Sequence, residues 1–205
     1  MKKILFAIVI LAAACSTKKE TNEEKVTVPS KFVLDSLLQY DSEADLITFF
    51  GKENVSRDTA WYPEGMGQYM ISVLYPGTND EVEFTWNDSV TFKGLQEIVL
   101  HQDSSQWSTQ GVKIGSTLQD LIKLNGKDFT FSGFGWDYGG NLFWSEGGNL
   151  SDLTLTLDIS NYDIPPIEQD SLLGDQTISS RSNVARKNNP FVSEIILIPK
   201  ENKTP

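Results

Sequence analysis

Cysteine is almost missing from this chain: a single one, Cys15, among 205 residues. An exported domain normally carries either no cysteine or an even number that can pair. Histidine is equally scarce, with His101 alone. One imidazole without thiolates cannot build a histidine-based zinc site, and a hydrolase triad would need a serine in a recognisable setting. No Gly-x-Ser-x-Gly exists. Positive charge is also sparse, at 17 Lys and Arg against 28 Asp and Glu, net −11. That balance argues against nucleic-acid binding, which depends on clustered basic residues, and against lying flat on anionic lipid. No apolar run approaches the ~20 residues that a membrane-spanning helix requires.

The N-terminus explains the odd cysteine. Lys2 and Lys3 precede an apolar stretch over residues 4–14, and Cys15 follows directly. The stretch suits the core of a secretory signal and is too short to span a bilayer. Leu11-Ala12-Ala13-Ala14-Cys15 resembles the lipobox of bacterial lipoproteins, with Ala rather than Leu three residues before the cysteine. The resemblance implies a signal peptide over residues 1–14, cleavage before Cys15 and acyl chains, palmitate among them, on that residue. The membrane is then a partner through the N-terminal lipid. Several chains anchor stably where one binds only marginally. Simple secretion with nearby cleavage is the competing reading. The expected location is the cell envelope, anchored at the outer membrane on its periplasmic or surface face. Residues 15–30 are polar, charged and free of aromatics, the composition of a flexible tether. Without Lys2 and Lys3 the mature chain has 15 basic and 28 acidic residues, net −13.

The remainder reads as one domain built from two copies of one unit, residues 31–103 and 104–205. Asp45-Leu46-Ile47 with Gly51-Lys52 recurs 75 residues later as Asp120-Leu121-Ile122 with Gly126-Lys127. At the same offset Trp61 falls on Trp136, and Gly65 on Gly140. Farther on, Val82-x-Phe84-x-Trp86 matches Leu153-x-Leu155-x-Leu157, and Glu97-Ile98-Val99-Leu100 matches Glu194-Ile195-Ile196-Leu197. Ser42 and Thr117 suit helix N-caps, with Asp45 and Asp120 in acidic first turns; Gly51 and Gly126 suit the helix ends. The later segments alternate apolar and polar, as strands with one wet face do. The expectation is α+β: each unit a short helix followed by a three-stranded meander, joined in one antiparallel sheet with the helices packed on one side.

Gly115-Ser116-Thr117-Leu118-Gln119-Asp120-Leu121-Ile122-Lys123-Leu124-Asn125-Gly126 and the tandem layout resemble the β-lactamase-inhibitor-protein-like fold. They also resemble its single-unit relative, the small outer-membrane lipoprotein of the barrel-assembly machinery. The first copy departs from the motif at Tyr40, where the second has Gly115. The resemblance implies a scaffold that binds proteins through an exposed sheet face.

The glycine-rich stretch from Gly133 to Gly140 is not a dinucleotide fingerprint, because Tyr138 occupies the third glycine position. It reads as a turn that presents aromatics, and Trp61-Tyr62 is its counterpart. Trp61, Tyr62, Trp136 and Tyr138 are therefore the candidate binding residues for an envelope protein or glycan, since Trp and Tyr are enriched at binding hot spots. For Trp61 and Trp136 the reading as core plugs at equivalent points of the repeats is favoured, and less so for Tyr62 and Tyr138. Residues 160–190 hold Pro165-Pro166, few apolar residues and the basic cluster Arg181, Arg186 and Lys187. They read as a long disordered loop, with a partner-binding loop as the alternative. No catalytic residue, cofactor or metal site is assigned. The functional expectation is a non-enzymatic binding scaffold. The alternative is an envelope carbohydrate hydrolase using paired carboxylates, which would place Asp137 and a second acid about 5 to 10 Å apart in one cleft. Asp152, Asp158, Asp163, Glu146, Glu168 and Asp170 are the other acids of that region, and none forms a calcium-loop motif.

Overall fold

The computed structural model describes residues 32–61, 65, 67–159 and 164–200. Cys15, the signal and tether over residues 1–30, and Tyr62 lie outside the described residues. After a 3-10 helix at Leu34–Gln39, the first copy runs α1 (Glu43–Phe50), a 3-10 turn (Lys52–Asn54), β1 (Val55–Trp61), β2 (Gln68–Leu74), β3 (Val82–Asp88) and β4 (Lys93–Leu100). The second runs α2 (Leu118–Asn125), β5 (Phe129–Ser132), β6 (Leu142–Trp144) and β7 (Thr154–Asp158), then α3 (Pro166–Leu172), β8 (Thr177–Ser179) and α4 (Asn183–Asn188), and closes on β9 (Phe191–Leu197). The class is α+β. Among the described residues the first copy has four strands and the second five, β8 of its insertion included, rather than the expected three. The overlooked strand of the first copy, β1, is a sheet edge whose exposed, mostly polar side chains carry no apolar alternation.

Both helices start and stop as their sequences dictate. The Ser42 hydroxyl accepts the Asp45 N–H, and Thr117 and Asp120 form a reciprocal capping box. The N–H of Gly51 donates to Ile47, and that of Gly126 to Ile122. Gly126 takes the left-handed conformation at φ 69°. Neither helix exceeds eight residues, so each depends on packing. Leu46, Leu118 and Leu121 sink into one core with Phe84, Trp86, Ile98, Leu155 and Ile195.

Six strands form the main sheet in the order β1-β2-β3-β4-β9-β7, all neighbours antiparallel. Its register repeats the sequence match residue for residue. Phe84 pairs with Ile98, and their counterparts Leu155 and Ile195 pair with each other. The register slips between Thr85 and Trp86 in the first copy, and between the equivalent Thr156 and Leu157 in the second. The residues left over by the slips, Gln96 and Ser193, are counterparts too. At the seam Val99 pairs with Ile196, each the equivalent of the other. A residue paired with its own counterpart is what a local two-fold axis requires.

The second copy departs from the expected single sheet. Its first hairpin, β5-β6, separates from the main sheet and stays linked to it by the isolated bridge Asn141–Thr156. A three-stranded sheet β6-β5-β8 results, and β8 comes from the segment expected to be disordered. That expectation is corrected for residues 164–190, which fold as α3, β8 and α4; residues 160–163 lie outside the described ones. Leu172, Ile178 and Ala185 are buried, enough to dock the insertion. The basic cluster is partly engaged internally: Arg181 pairs with Asp128, and Lys187 with Glu168. The described residues contain no helix long and apolar enough to cross a membrane.

Candidate functional site

Strand alternation divides the main sheet into two faces. Phe84, Trp86, Ile98, Leu100, Leu155, Leu157, Ile195 and Leu197 are buried on one. Glu83, Thr85, Glu97, Val99, Thr154, Thr156, Glu194 and Ile196 fall on the other. This second face carries two clefts, one per copy. The first, about 370 Å³, is lined by Trp61, Tyr69, Thr85, Asn87, Gln96 and Glu97 among others. The second, about 480 Å³, is lined by Trp136, Asp137, Thr156, Asp158 and Ser193 among others. Trp61 and Trp136 are counterparts, as are Thr85 and Thr156, Asn87 and Asp158, and Gln96 and Ser193. Bulges commonly sit beside sites because the extra residue re-aims side chains. Here both bulged residues line the clefts.

The threonines hold the same partners in each copy. Thr85 hydrogen-bonds Glu97. Thr156 donates to Oε1 of Glu194 at 3.1 Å. Neither glutamate is in an ion pair among the described residues. Partial burial pushes Glu97 up, and the charge of Glu194 adds to the rise, while the Thr85 hydrogen bond opposes it. Burial also raises Glu83, with Glu81, Asp58 and Glu194 pushing the same way and only His101 opposing. The face concentrates negative charge, against which His101 stands beside Glu83.

The aromatics are placed more openly than core plugs would be. Trp61, at the end of β1, is 64% exposed. Its core-plug reading is therefore corrected; it ends an edge strand with most of its surface open. Trp136 is half-buried, with Nε1 donating to the Gly133 carbonyl at 2.7 Å. Tyr138 meets it edge-on at 5.5 Å and is itself 51% exposed. The glycine-rich turn does present aromatics: Gly139 N–H closes it on the Trp136 carbonyl, and Gly140 N–H reaches Ser132.

Of the acids named from sequence, Asp137 and Asp158 come together in the second cleft. The sequence matches Tyr62 and Asn87 to these two acids, so the acid pair belongs to one copy. Glu168 is committed to Lys187 and Asn188 in the insertion. His101 lies exposed just past β4, with Nε2 3.6 Å from Oε1 of Glu83. Donor atoms of Glu81, Glu83 and His101 lie within 4.8 Å of one another, a set able to hold a metal ion. Counting histidines and cysteines alone overlooks it, because two of the three donors are carboxylates. The available signal was the strand pairing, which carries residue 101 toward residue 81. Comparison with known protein families, with curated proteins and with solved structures finds no match to this chain.

Proposed function

We propose that this chain is a lipid-anchored protein of the bacterial envelope, held at the outer membrane through Cys15, that binds a partner without catalysing a reaction. The observation that carries the binding role is the repetition of one cleft in both copies on the open sheet face. What the clefts share is an aromatic rim, a bulged polar residue and a threonine that hydrogen-bonds a glutamate of the neighbouring strand. These are recognition groups: an aromatic offers apolar area at small entropic cost, and the polar floor orients a ligand. The lipobox-like segment supports the anchor. The resemblance to the β-lactamase-inhibitor-protein-like fold supports recognition of a protein by the sheet face, and a glycan is the other ligand class that the aromatic rims suit. The test is in-envelope cross-linking and recovery of the tethered protein, beside a Trp61→Ala/Trp136→Ala double variant. A specific partner recovered with the native chain and lost from the variant is the expected result. Recovery of nothing, or of the same set by both, overturns the reading.

One observation favours a second reading, the paired acids Asp137 and Asp158 in the second cleft. A carbohydrate hydrolase would use one as the acid and the other as base or nucleophile. That reading requires glycan turnover abolished by Asp137→Asn or Asp158→Asn. The binding reading expects no turnover by the native chain.

A further inference from the structure

Glu83 and Val99 pair across β3 and β4. Continuing that register two residues places His101 opposite Glu81, on the face that carries Glu83. Directly opposed side chains on one sheet face start about 4.5–5.5 Å apart at Cβ. The donor atoms of Glu81, Glu83 and His101 accordingly lie within 4.8 Å of one another. We infer that these three side chains form a site for one divalent transition cation of the zinc type, a role independent of the clefts.

The donor chemistry selects the class. Carboxylates alone suit magnesium or calcium, whereas imidazole suits zinc and its neighbours. One nitrogen and two oxygens leave a fourth position for water, as open zinc sites do. Metal–donor bonds of about 2.0–2.2 Å need donors somewhat closer together than they stand. A contraction of roughly an ångström, by rotation of two glutamates and a surface imidazole, supplies it.

Two further features belong with a cation here. Glu81 is braced from outside the trio: Gln102 Nε2 donates to its Oε1 at 3.1 Å, and the Gly77 N–H donates to Oε2. Such outer contacts orient ligands at metal sites. The surroundings are also negative. Asp58 and Glu194 add to the charge felt by Glu83, and among the described residues His101 is the group that opposes them. In the second copy the corresponding positions are Asp152, Thr154 and Ile198, which supply one donor carboxylate. A requirement of the repeated fold would appear in both copies; this trio belongs to the first alone.

The test uses the full chain purified in detergent, stripped with chelator and titrated with Zn²⁺ by calorimetry, with unfolding followed in parallel. One equivalent binds and raises Tm. His101→Ala and Glu83→Gln each weaken binding by roughly 100-fold or more, since loss of even an outer partner costs about 10–100-fold. Glu146→Gln, remote from the trio, leaves it unchanged. Absence of binding overturns the site, as does affinity unchanged in both ligand variants. Calcium binding equally well, and indifferent to His101→Ala, overturns the assigned cation class. His101 is exposed, so its variant keeps the test valid even where Glu83→Gln disturbs folding.

Discussion

Val99 on β4 lies directly across from Ile196 on β9, and each occupies the other's place in the duplicated sequence. The pair marks a local two-fold axis through the main sheet at the β4–β9 seam. Around it Glu97 and Glu194 are related, as are Thr85 and Thr156. The two clefts therefore open on one face, in opposite senses along the strands. A ligand that fills both presents similar groups at two ends.

The contrast between exposed and buried tryptophans gives a direct check. Trp107 is 1% exposed, packs edge-on against Phe32 and donates from Nε1 to the Asp80 carbonyl at 2.9 Å. Trp107→Ala should cost about 3–5 kcal/mol, as deletion of a buried tryptophan does. Trp61→Ala should stay within about 0.5 kcal/mol, the range of surface changes. Denaturant unfolding measures both. A large loss on removing Trp61 would show that it supports the fold rather than a ligand.

Much of the frame was legible because the repeated elements are amphipathic and locally capped. Ser42, Thr117, Gly51 and Gly126 mark helix ends by their own backbone chemistry. The alternation through Val82, Phe84 and Trp86 marks the wet and dry faces of β3. What stayed hidden depends on long-range packing. β1 is polar on most positions, so nothing local separates it from a loop. The separation of β5-β6 and the capture of β8 are decided by which edges meet. The insertion docks through a few buried side chains, Leu172, Ile178 and Ala185, dispersed among polar ones. The clefts need register: Gln96 and Ser193 look like ordinary strand residues until the bulges single them out. His101 joins Glu81 and Glu83 only through strand pairing.

Gly140 and Gly65 hold equivalent places with the same backbone twist, φ 78° and φ 70°. Their surroundings differ. A Cβ on Gly140 would collide with the Leu157 carbonyl, whereas one on Gly65 meets nothing within 4 Å. Gly65→Ala should cost about 1–2 kcal/mol, the left-handed penalty alone. Gly140→Ala should cost more than about 4 kcal/mol or prevent folding, because backbone itself must move. Equal effects in thermal unfolding would refute the close approach of this turn to β7.

Acid should unfold the first copy through Glu43. The Glu43 carboxylate accepts from Arg57 at 2.7 and 2.8 Å and from Ser72 at 2.9 Å, and Ser72 in turn accepts from Trp86 Nε1 at 3.0 Å. Burial alone would raise this carboxyl, but the hydrogen bonds from Arg57 and Ser72 and the guanidinium charge outweigh it and hold it below 4.5. A lowered carboxyl contributes stability that is complete above its unfolded value and is lost as pH falls through the folded one. Native Tm should thus decline below about pH 4.5. Glu43→Gln should be less stable at pH 7, by about 1–3 kcal/mol for a lost charged hydrogen bond. It should also show a flatter acid limb. An unchanged acid limb would remove Glu43 from the account.

Glu97 should behave oppositely. Burial and the neighbouring charge of Glu194 raise it above 4.5, against the Thr85 hydrogen bond. Below 4.5 the group is protonated in both folded and unfolded chains and costs nothing. Above its raised folded value it is ionised in both, and the folded chain bears the full penalty. Glu97→Gln should therefore raise Tm by a few degrees at pH 7, and the gain should vanish as pH falls toward 4.5. On the proposed binding role, the Glu97 carboxylate serves recognition at a cost in stability. The same variant should accordingly lose partner recovery in the envelope while gaining stability. A variant that is both more stable and fully competent would show this carboxylate to be incidental to binding.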